Sequence, residues 1–352
     1  MKKIFAILAF LLILVGAAAA WLLLGSSTAF EGKHKFVYIR TGSHAEEVVR
    51  TLAADSVLRH PSVFKWLAGR LGYWESIKPG KYEIQAGTST LSLVRKLRSG
   101  QQSPVNLVIN KVRTKEQLAA QVGRKFECDS ASFLSYMNSA QLRDRYGLDS
   151  HSVMTLIIPD TYTYFWNSTP EIIFNKLEKR YQNFWTEERK NKAAAKGLTP
   201  TQVYILASIV EEETNKHDEK GNVASVYLNR IKKGMPLQAD PTVKFALQNF
   251  GLTRIREGHL AATSPYNTYR NKGLPPGPIC TPSAVTLDAV LDAPETQYIY
   301  FVAKSDFSGY HVFAQDYPTH LKYAREYRKA LDSLEIRRQK KKADQNLKNL
   351  TN

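Results

Sequence analysis

Three consecutive carboxylates stand at the end of an apolar segment in the second half of the chain. Glu211, Glu212 and Glu213 follow the mostly apolar residues 205–210, and a Thr-Pro helix-start signal lies upstream at residues 199–200. Carboxylates at the end of a buried helix are costly unless they are paired, hydrogen-bonded or exposed at a cleft, and they oppose the helix dipole. A carboxyl in that setting can act as a general acid and base. The alternative is a frayed, charged helix end without a chemical role.

Helical periodicity separates the three carboxylates only in part. At 100° per residue, Glu212 points away from the apolar side chains, so solvent is its predicted neighbour. Glu211 shares a narrow sector with Tyr204 and Ser208, whereas Glu213 falls in a more apolar sector and is the more enclosed carboxyl. Periodicity therefore excludes Glu212 and does not choose between Glu211 and Glu213.

Loops rich in amide, hydroxyl and aromatic side chains follow the glutamates, in residues 223–242, 264–269 and 273–279. Such side chains, held by prolines, suit a sugar polymer with its many hydroxyls and apolar ring faces, although ordinary surface loops have a similar composition. The histidines stand apart, so no metal-ligand spacing is visible, and His311 is predicted to be a structural residue in a strand. No nucleophile elbow, phosphate loop or dinucleotide fingerprint occurs either. The sequence therefore predicts no metal and no cofactor.

The composition describes a folded, basic protein of 352 residues. A hydrophobic share of 43% excludes a mainly disordered chain, and two cysteines cannot build a disulfide scaffold or a four-cysteine zinc site. In an exported chain Cys128 and Cys280 could form a disulfide, but nothing local in the sequence pairs them. The net charge of +17 is compatible with nucleic acid, an anionic membrane or an anionic polymer as a partner.

An uncharged run from Ile4 to Leu24 follows Lys2 and Lys3 at the N-terminus. As a helix it would extend about 32 Å, close to the roughly 30 Å thickness of the hydrocarbon core. A cleaved signal peptide is the alternative, but its apolar region would end before Trp21. The positive-inside bias keeps the two lysines in the cytoplasm. We therefore predict a single-pass anchor in the inner membrane, a periplasmic body and no nucleic-acid partner.

The elements that must position these side chains form two mixed parts, so the predicted fold class is α+β. After residues 1–3 in the cytoplasm, the anchor and a linker at residues 25–35, residues 36–103 follow the order strand, helix, helix, strand, short helix. A capping box begins at Ser43 and a helix stop lies at Gly100. This order is similar in pattern to a LysM-type carbohydrate-binding module.

The larger second part spans residues 104–332 and is the predicted catalytic domain. It begins with a strand and a helix capped by Thr114, and its last helix starts near Pro318. Residues 333–352 form a basic tail, which is predicted to be solvated and partly disordered.

The motifs of this second part together resemble those of the endolytic murein transglycosylases (the MltG, or YceG-like, family). The likeness covers roughly residues 158–331 in the family's order and spacing. The matching motifs are Pro-Asp-Thr-Tyr from Pro159, Ile-Val-Glu ending at Glu211, Glu213-Thr214, Asn229-Arg230, Gly234-Met235, Leu237-Gln238, Asp240 to Val243, Ser264 to Tyr269 and Gly273 to Ile279. The chain departs from the family at Met154-Thr155, where Glu-Gly is common, which puts a substrate contact there in doubt.

The resemblance implies cleavage of the MurNAc–GlcNAc bond inside peptidoglycan strands without water, which leaves 1,6-anhydro-MurNAc ends and limits the length of nascent strands. It assigns the catalytic role to Glu211 and a supporting role to Glu213, with an exchange of the two roles left open. One carboxyl suffices, because the C6 hydroxyl of the sugar replaces the water that a second carboxylate would activate. The acid must start protonated, so an apolar setting should raise its pKa.

The implied substrate contacts lie in the Pro-Asp-Thr-Tyr turn and in the polar loops. They are Asp160, Thr161, Tyr162, Asn229, Arg230, Gln238, Asp240, Thr242, Tyr266, Asn267 and Thr268. Two rival hypotheses are a membrane-tethered peptidoglycan-binding scaffold without catalysis and a hydrolytic muramidase with Asp160 or Asp240 as its second carboxylate. Peptidoglycan synthases or division proteins are the protein partners that the family likeness implies.

Overall fold

The structure is a computed structural model that describes residues 2–350, with the side chains of that range except 340–344 and 346–350. The helices, α1 to α15 in chain order, are Lys2–Leu24, Ala45–Ala54, Pro61–Arg70, Thr90–Ser99, Lys115–Lys125, Ser130–Met137, Ala140–Tyr146, Pro170–Phe184, Glu187–Ala195, Pro200–Glu213, Lys220–Lys232, Asp240–Ala246, Glu257–Leu260, Ala284–Leu291 and Tyr317–Leu350. The strands, β1 to β6, are His34–Ile39, Gly80–Gln85, Val105–Ile109, Asp160–Tyr164, Tyr300–Ala303 and His311–Ala314. Two 3-10 turns lie at Val153–Leu156 and His217–Glu219. Mixed helix and sheet of this kind confirms the α+β class.

The N-terminal helix α1 contains the predicted span from Ile4 to Leu24. Its side chains are almost all exposed, although they are mostly apolar, and it is the one helix of the described residues that is long and apolar enough to cross a membrane. It is therefore a candidate membrane anchor. Which side of the membrane the body occupies stays a prediction.

The chain forms two compact units, of which the first comprises Met1–Leu107, Ala119–Phe133 and Thr161–Ile173. Its helices α2, α3 and α4 and its antiparallel β1–β2 pair follow the predicted order of strand, helix, helix, strand, helix. Burial of apolar residues from all five elements forms its core. The cap of α2 is His44 and not Ser43, with Glu47 accepting the His44 N–H at 3.2 Å. The likeness to a LysM module stays a prediction.

The second unit comprises Val108–Leu118, Leu134–Asp160 and Phe174–Asn352. The predicted boundary at residue 104 therefore lies near the first passage of the chain between units, but two later segments group with the first unit. A compact unit is defined by contacts in space. A single boundary in the sequence therefore cannot describe a chain that returns twice to the first unit. The core of the second unit forms around α10, packed mainly by α11 and α14.

The six strands of the described residues form three two-stranded sheets: β1 with β2, β3 with β4, and β5 with β6. The β5–β6 pair is antiparallel and places Phe301 opposite Phe313. The strand that the sequence predicts from residue 104 to 112 is shorter, because it ends at Ile109.

The last predicted helix extends through most of the basic tail, because α15 continues from Tyr317 to Leu350. Residues 333–350 contain no proline or glycine and are rich in lysine, arginine, leucine and glutamine, all of which favour helix. Residues 351 and 352 of the predicted tail lie outside the described residues. Cys128 and Cys280 are both free thiols.

Candidate active site

Helix α10 carries the three glutamates and is fixed at its start by local signals. Thr199 caps it by accepting the Gln202 N–H, while Gln202 accepts the Thr199 N–H in return, and Pro200 occupies the first turn. Every residue from Val203 to Val210 is buried, so the helix is enclosed on all sides. It delivers its last three side chains about 100° apart, and each one reaches a different environment.

Glu211 forms an ion pair that balances its negative charge. Its Oε2 lies 2.9 Å from Nζ of Lys220, whose side chain is only 3% exposed, and it accepts hydrogen bonds from the hydroxyls of Ser283 at 3.1 Å and Thr286. Lys220 also donates to Thr286 at 2.6 Å. Burial acts to raise the pKa of Glu211, but the bonds from Thr286 and Lys220 outweigh it and hold the pKa below its ordinary value. These contacts tie the end of α10 to α11 and to the start of α14 and favour the ionised form of the Glu211 carboxyl. A catalytic role for Glu211 stays a prediction.

Glu212 is not the solvent-facing residue that periodicity predicts. Both of its oxygens accept from Nη2 of Arg113 at 3.1 Å, and Nζ of Lys111 lies 3.4 Å away. Its side chain is only 15% exposed. The helical wheel cannot predict this ion pairing, because the two cations come from a segment about 100 residues upstream in the chain. They contact the polar side of α10.

Glu213 differs from both neighbours. The salt bridges among the described residues do not include it; its Oε1 instead accepts the hydroxyl of Tyr227 at 2.6 Å. Burial raises the pKa of Glu213 to about 7, and the negative charge of Asp240 adds to that rise, while Tyr227 and Lys244 oppose it. A carboxyl in this state is protonated for much of the time near neutral pH and can still ionise.

The Glu213 carboxyl faces a cavity of about 320 Å³. The predicted residues Arg230, Gln238 and Asp240 line the same cavity, so the structure brings four of the predicted site residues together. Its further lining includes Tyr227, Tyr269, Tyr300, Phe301 and His320. Hydroxyl, amide and charged groups beside aromatic rings are the side chains that bind sugars through hydrogen bonds and apolar ring faces.

The polar residues of this cavity are held in place by their own bonds. Asp240 accepts the hydroxyl of Tyr269 at 2.5 Å. Arg230 is largely buried and donates to three backbone carbonyls, including that of Leu237 at 2.7 Å, and to Oε1 of Gln238 at 3.3 Å. Gln238 has φ of 55°, a left-handed conformation that costs free energy in a residue other than glycine. Such strain at an exposed amide on the cavity rim is typical of a binding residue.

Three predicted substrate contacts are instead interior residues. Thr242, Asn267 and Thr268 are at most 1% exposed. The Thr242 and Thr268 hydroxyls bond to each other at 2.8 Å, and Thr268 also accepts the N–H of Ala239, while Asn267 donates to the carbonyls of Leu260 and Ala262. These hydrogen bonds are made inside the protein, next to the segment that carries Gln238 and Asp240. Direct substrate contact by Thr242, Asn267 and Thr268 stays a prediction.

The other predicted residues lie outside the cavity lining. Asn229 donates to the carbonyls of Thr296 and Tyr298, and Tyr266 is buried beside Phe245, with ring centroids 4.6 Å apart. Asp160 pairs with Arg180 at 2.7 Å, and Thr161 and Tyr162 follow it in β4. Met154 and Thr155 lie buried in a 3-10 turn. A substrate contact by Asn229, Tyr266, Asp160, Thr161 or Tyr162 stays a prediction, and so does the loss of a family contact at Met154-Thr155.

The sequence analysis did not identify the aromatic and basic residues that contact the carboxyls of the site. Tyr227 and Tyr269 bond the two cavity carboxyls, and Lys220 neutralises Glu211. Tyr269 closes the Ser-Pro-Tyr-Asn-Thr-Tyr motif, so the motif itself was an available signal. The sequence gives no corresponding signal for Lys220, because only the fold brings it to α10.

Comparison with known proteins shows the family of this chain. The profile of the YceG-like family matches residues 37–326, which is most of the chain. This chain belongs to the YceG-like family. Among its relatives, the endolytic murein transglycosylase of Bacillus subtilis (strain 168) is 26% identical over 310 residues, covering 83% of this chain and 84% of the relative.

Two further relatives extend the comparison of this YceG-like chain. The endolytic murein transglycosylase of Streptococcus pneumoniae serotype 2 (strain D39) is 27% identical over 310 residues, covering 77% of this chain and 54% of the relative, so the match spans about half of that protein. The crystal structure of a YceG-like protein from Listeria monocytogenes is similar with a TM-score of 0.55 and 25% identity, covering 82% of this chain and 98% of the other. The resemblance inferred from the motifs is therefore confirmed.

Proposed function

We propose that this protein is an endolytic lytic transglycosylase that cleaves the MurNAc–GlcNAc bond within peptidoglycan strands, and that Glu213 is its catalytic acid and base. The observation that carries the assignment is the contrast between adjacent carboxyls. Glu211 and Glu212 are ion-paired, whereas Glu213 has a raised pKa of about 7 and faces a cavity lined by hydroxyl, amide, charged and aromatic side chains. The first step requires a protonated acid, whereas the ion pair with Lys220 favours the ionised form of Glu211, the residue first expected in this role.

The reaction uses one proton twice. Protonated Glu213 gives its proton to the glycosidic oxygen as the C1–O bond of MurNAc breaks, so the GlcNAc leaving group departs as an alcohol and positive charge develops on the ring. The ionised carboxylate then takes the proton of the C6 hydroxyl, whose oxygen bonds to C1. The 1,6-anhydro ring closes, Glu213 is protonated again and no water is consumed.

The surroundings of Glu213 support both halves of the cycle. The Tyr227 hydroxyl at 2.6 Å fixes the carboxyl and stabilises its ionised form, while burial favours the protonated form. The net result is a pKa near the pH of use, where a group can both give and accept a proton. The C6 hydroxyl belongs to the same sugar, so its attack has the advantage of an intramolecular step.

The products distinguish this reaction from its rivals. Full-length protein in detergent micelles should convert purified peptidoglycan to fragments that end in 1,6-anhydro-MurNAc, as detected by mass spectrometry, with a known lytic transglycosylase as positive control. In H₂¹⁸O the new ends should carry no heavy oxygen. Binding without new ends would instead support a scaffold, and reducing ends that carry ¹⁸O would support a muramidase.

A muramidase is the second candidate because Asp240 lines the same cavity as Glu213. A hydrolytic enzyme would use it as the second carboxylate. The bond from Tyr269 to Asp240 and the raised pKa of Glu213 fit either chemistry, so the products decide.

The pH dependence of the reaction should follow Glu213. The acid must be protonated in the free enzyme, so kcat/KM should be constant below about pH 7 and fall tenfold per pH unit above it, since the pKa is raised to about 7. Initial rates of anhydro-end formation in buffers of constant ionic strength measure this limb. A midpoint near 4.5 would assign the acid to a carboxyl of ordinary pKa.

The location of the protein follows from the same proposal. Helix α1 would anchor the chain in the inner membrane with Lys2 and Lys3 in the cytoplasm, so that the two units meet peptidoglycan on the periplasmic side. The module of residues 36–103 would then act as a LysM-like glycan-binding module. The net positive charge of the chain suits a location beside an anionic membrane and an anionic wall polymer.

A further inference from the structure

We propose that Glu219 is a positioning residue, which ties the end of α10 to the β5–β6 pair and so fixes the Glu213 carboxyl relative to the wall of its cavity. The proposal rests on the function proposed above, because it assigns a role with respect to Glu213 as the acid. Glu219 itself does not line the cavity.

The Glu219 carboxylate accepts three hydrogen bonds in the interior. The side chain lies at the end of the 3-10 turn between α10 and α11, and the residue is 5% exposed. Its Oε1 accepts the hydroxyl of Thr214 at 2.6 Å and lies 2.8 Å from Nδ1 of His311, and its Oε2 accepts the His311 N–H at 3.0 Å. Burial acts to raise the pKa of Glu219, but these bonds outweigh it and hold the pKa below its ordinary value.

On one side this carboxylate holds the residue that follows the catalytic acid. Thr214 is the C-terminal cap of α10, where the backbone turns to an extended conformation with φ of −144° and ψ of 142°. The Thr214 N–H lies 3.4 Å from the Val210 carbonyl oxygen, so the last hydrogen bond of the helix is long. The buried bond from its hydroxyl to Glu219 is the shorter tether, and it fixes the direction in which Glu213 leaves the helix.

On the other side Glu219 holds a strand pair that builds the cavity. His311 begins β6, and its ring packs edge-on against Phe301 of β5 with centroids 5.2 Å apart. Phe301 and Tyr300 both line the cavity that Glu213 faces. One carboxylate therefore connects the helix that carries the acid with the strands that present two aromatic walls.

Several titratable groups face the two carboxyls, and Tyr269 interacts with Glu213 as well. Glu213 is faced by Tyr227 from α11, by Asp240 and Lys244 from α12, and by Glu212 of its own helix. Glu219 is faced by His311 from β6 and by Thr214. The role proposed for Glu219 is geometric. Loss of the hydrogen bond between Thr214 and Glu219 would loosen the end of α10 and admit water beside the Glu213 carboxyl.

The experiment replaces Thr214 with valine, which keeps the shape of the side chain and removes the donor to Glu219. We expect kcat to fall about tenfold with KM nearly unchanged, because the acid loses its orientation. We also expect the midpoint of the pH profile to fall by about one unit, because water reaching Glu213 lowers its pKa. Thr214→Ser retains a hydroxyl and should restore both values to within about twofold of the wild type.

The matched control is Thr199→Ala, which removes the cap at the opposite end of the same helix and should lower the melting temperature without changing kcat or the pH midpoint. A second variant, His311→Leu, releases the strand side and should mainly raise KM. If Thr214→Val lowers the melting temperature and leaves kcat and the pH midpoint as in the control, Glu219 is only structural. A wild-type protein that forms no anhydro ends would overturn the proposed function itself, which is a separate outcome.

Discussion

The Glu213→Gln variant should form 1,6-anhydro ends at least about a thousand-fold more slowly than the wild type, because glutamine cannot donate the proton that the leaving oxygen needs. Glutamine still offers an oxygen to the Tyr227 hydroxyl, so the cavity and its affinity for glycan should change little. Turnover and glycan binding, measured on the same preparation, separate lost chemistry from lost substrate.

The same variant should be more stable than the wild type at high pH. The native state holds the Glu213 proton up to about pH 7, whereas an unfolded chain releases it near pH 4.5. The native wild type thus binds more protons between these values, so its free energy of unfolding falls as pH rises through that window. Glu213→Gln should therefore gain about 3 kcal/mol at pH 8 and almost nothing at pH 4. Urea unfolding at both values measures the gain; an equal effect at both would mean that Glu213 is not a buried neutral acid.

The Glu211→Gln variant should show the opposite pattern, with stability lost and chemistry kept. It leaves the buried ammonium of Lys220 without its counter-ion, which should cost about 3 kcal/mol or more in the free energy of unfolding at pH 7. The folded fraction should retain turnover within about tenfold of the wild type, because the Glu213 carboxyl keeps its partner Tyr227.

The double variant Glu211→Gln with Lys220→Met provides the control for this loss. Removing both charges should recover part of the stability, because no unpaired ion remains in the interior. A Glu211→Gln protein as stable as the wild type would contradict the structural role of the ion pair.

The sequence contains the local parts of the site and lacks the long-range ones. Helix α10, its cap at Thr199 and its glutamates were predictable, because cap residues and apolar runs act over a few positions. The choice between Glu211 and Glu213 was not predictable, because a helical wheel counts apolar neighbours along one helix. The cation that neutralises Glu211 comes from α11, and the hydroxyls of Ser283 and Thr286 come from another region.

The polar loops show the same limit from the other side. Threonine and asparagine were expected to meet sugar hydroxyls, but Thr242, Asn267 and Thr268 use their hydrogen bonds inside the protein. The same donors and acceptors serve both purposes, so residue type cannot separate a binding loop from a buried loop that supports it. Gln238 and Asp240, which border this buried group, are the residues that reach the cavity.

The most direct test of the account compares Glu213→Gln and Glu211→Gln in one assay, with the yield of 1,6-anhydro-MurNAc ends measured by mass spectrometry and divided by the amount of folded protein. The account predicts product from Glu211→Gln at a rate within about tenfold of the wild type and almost none from Glu213→Gln. Near wild-type turnover by Glu213→Gln, together with loss of turnover in folded Glu211→Gln, would show that Glu211 is the acid and would contradict the account.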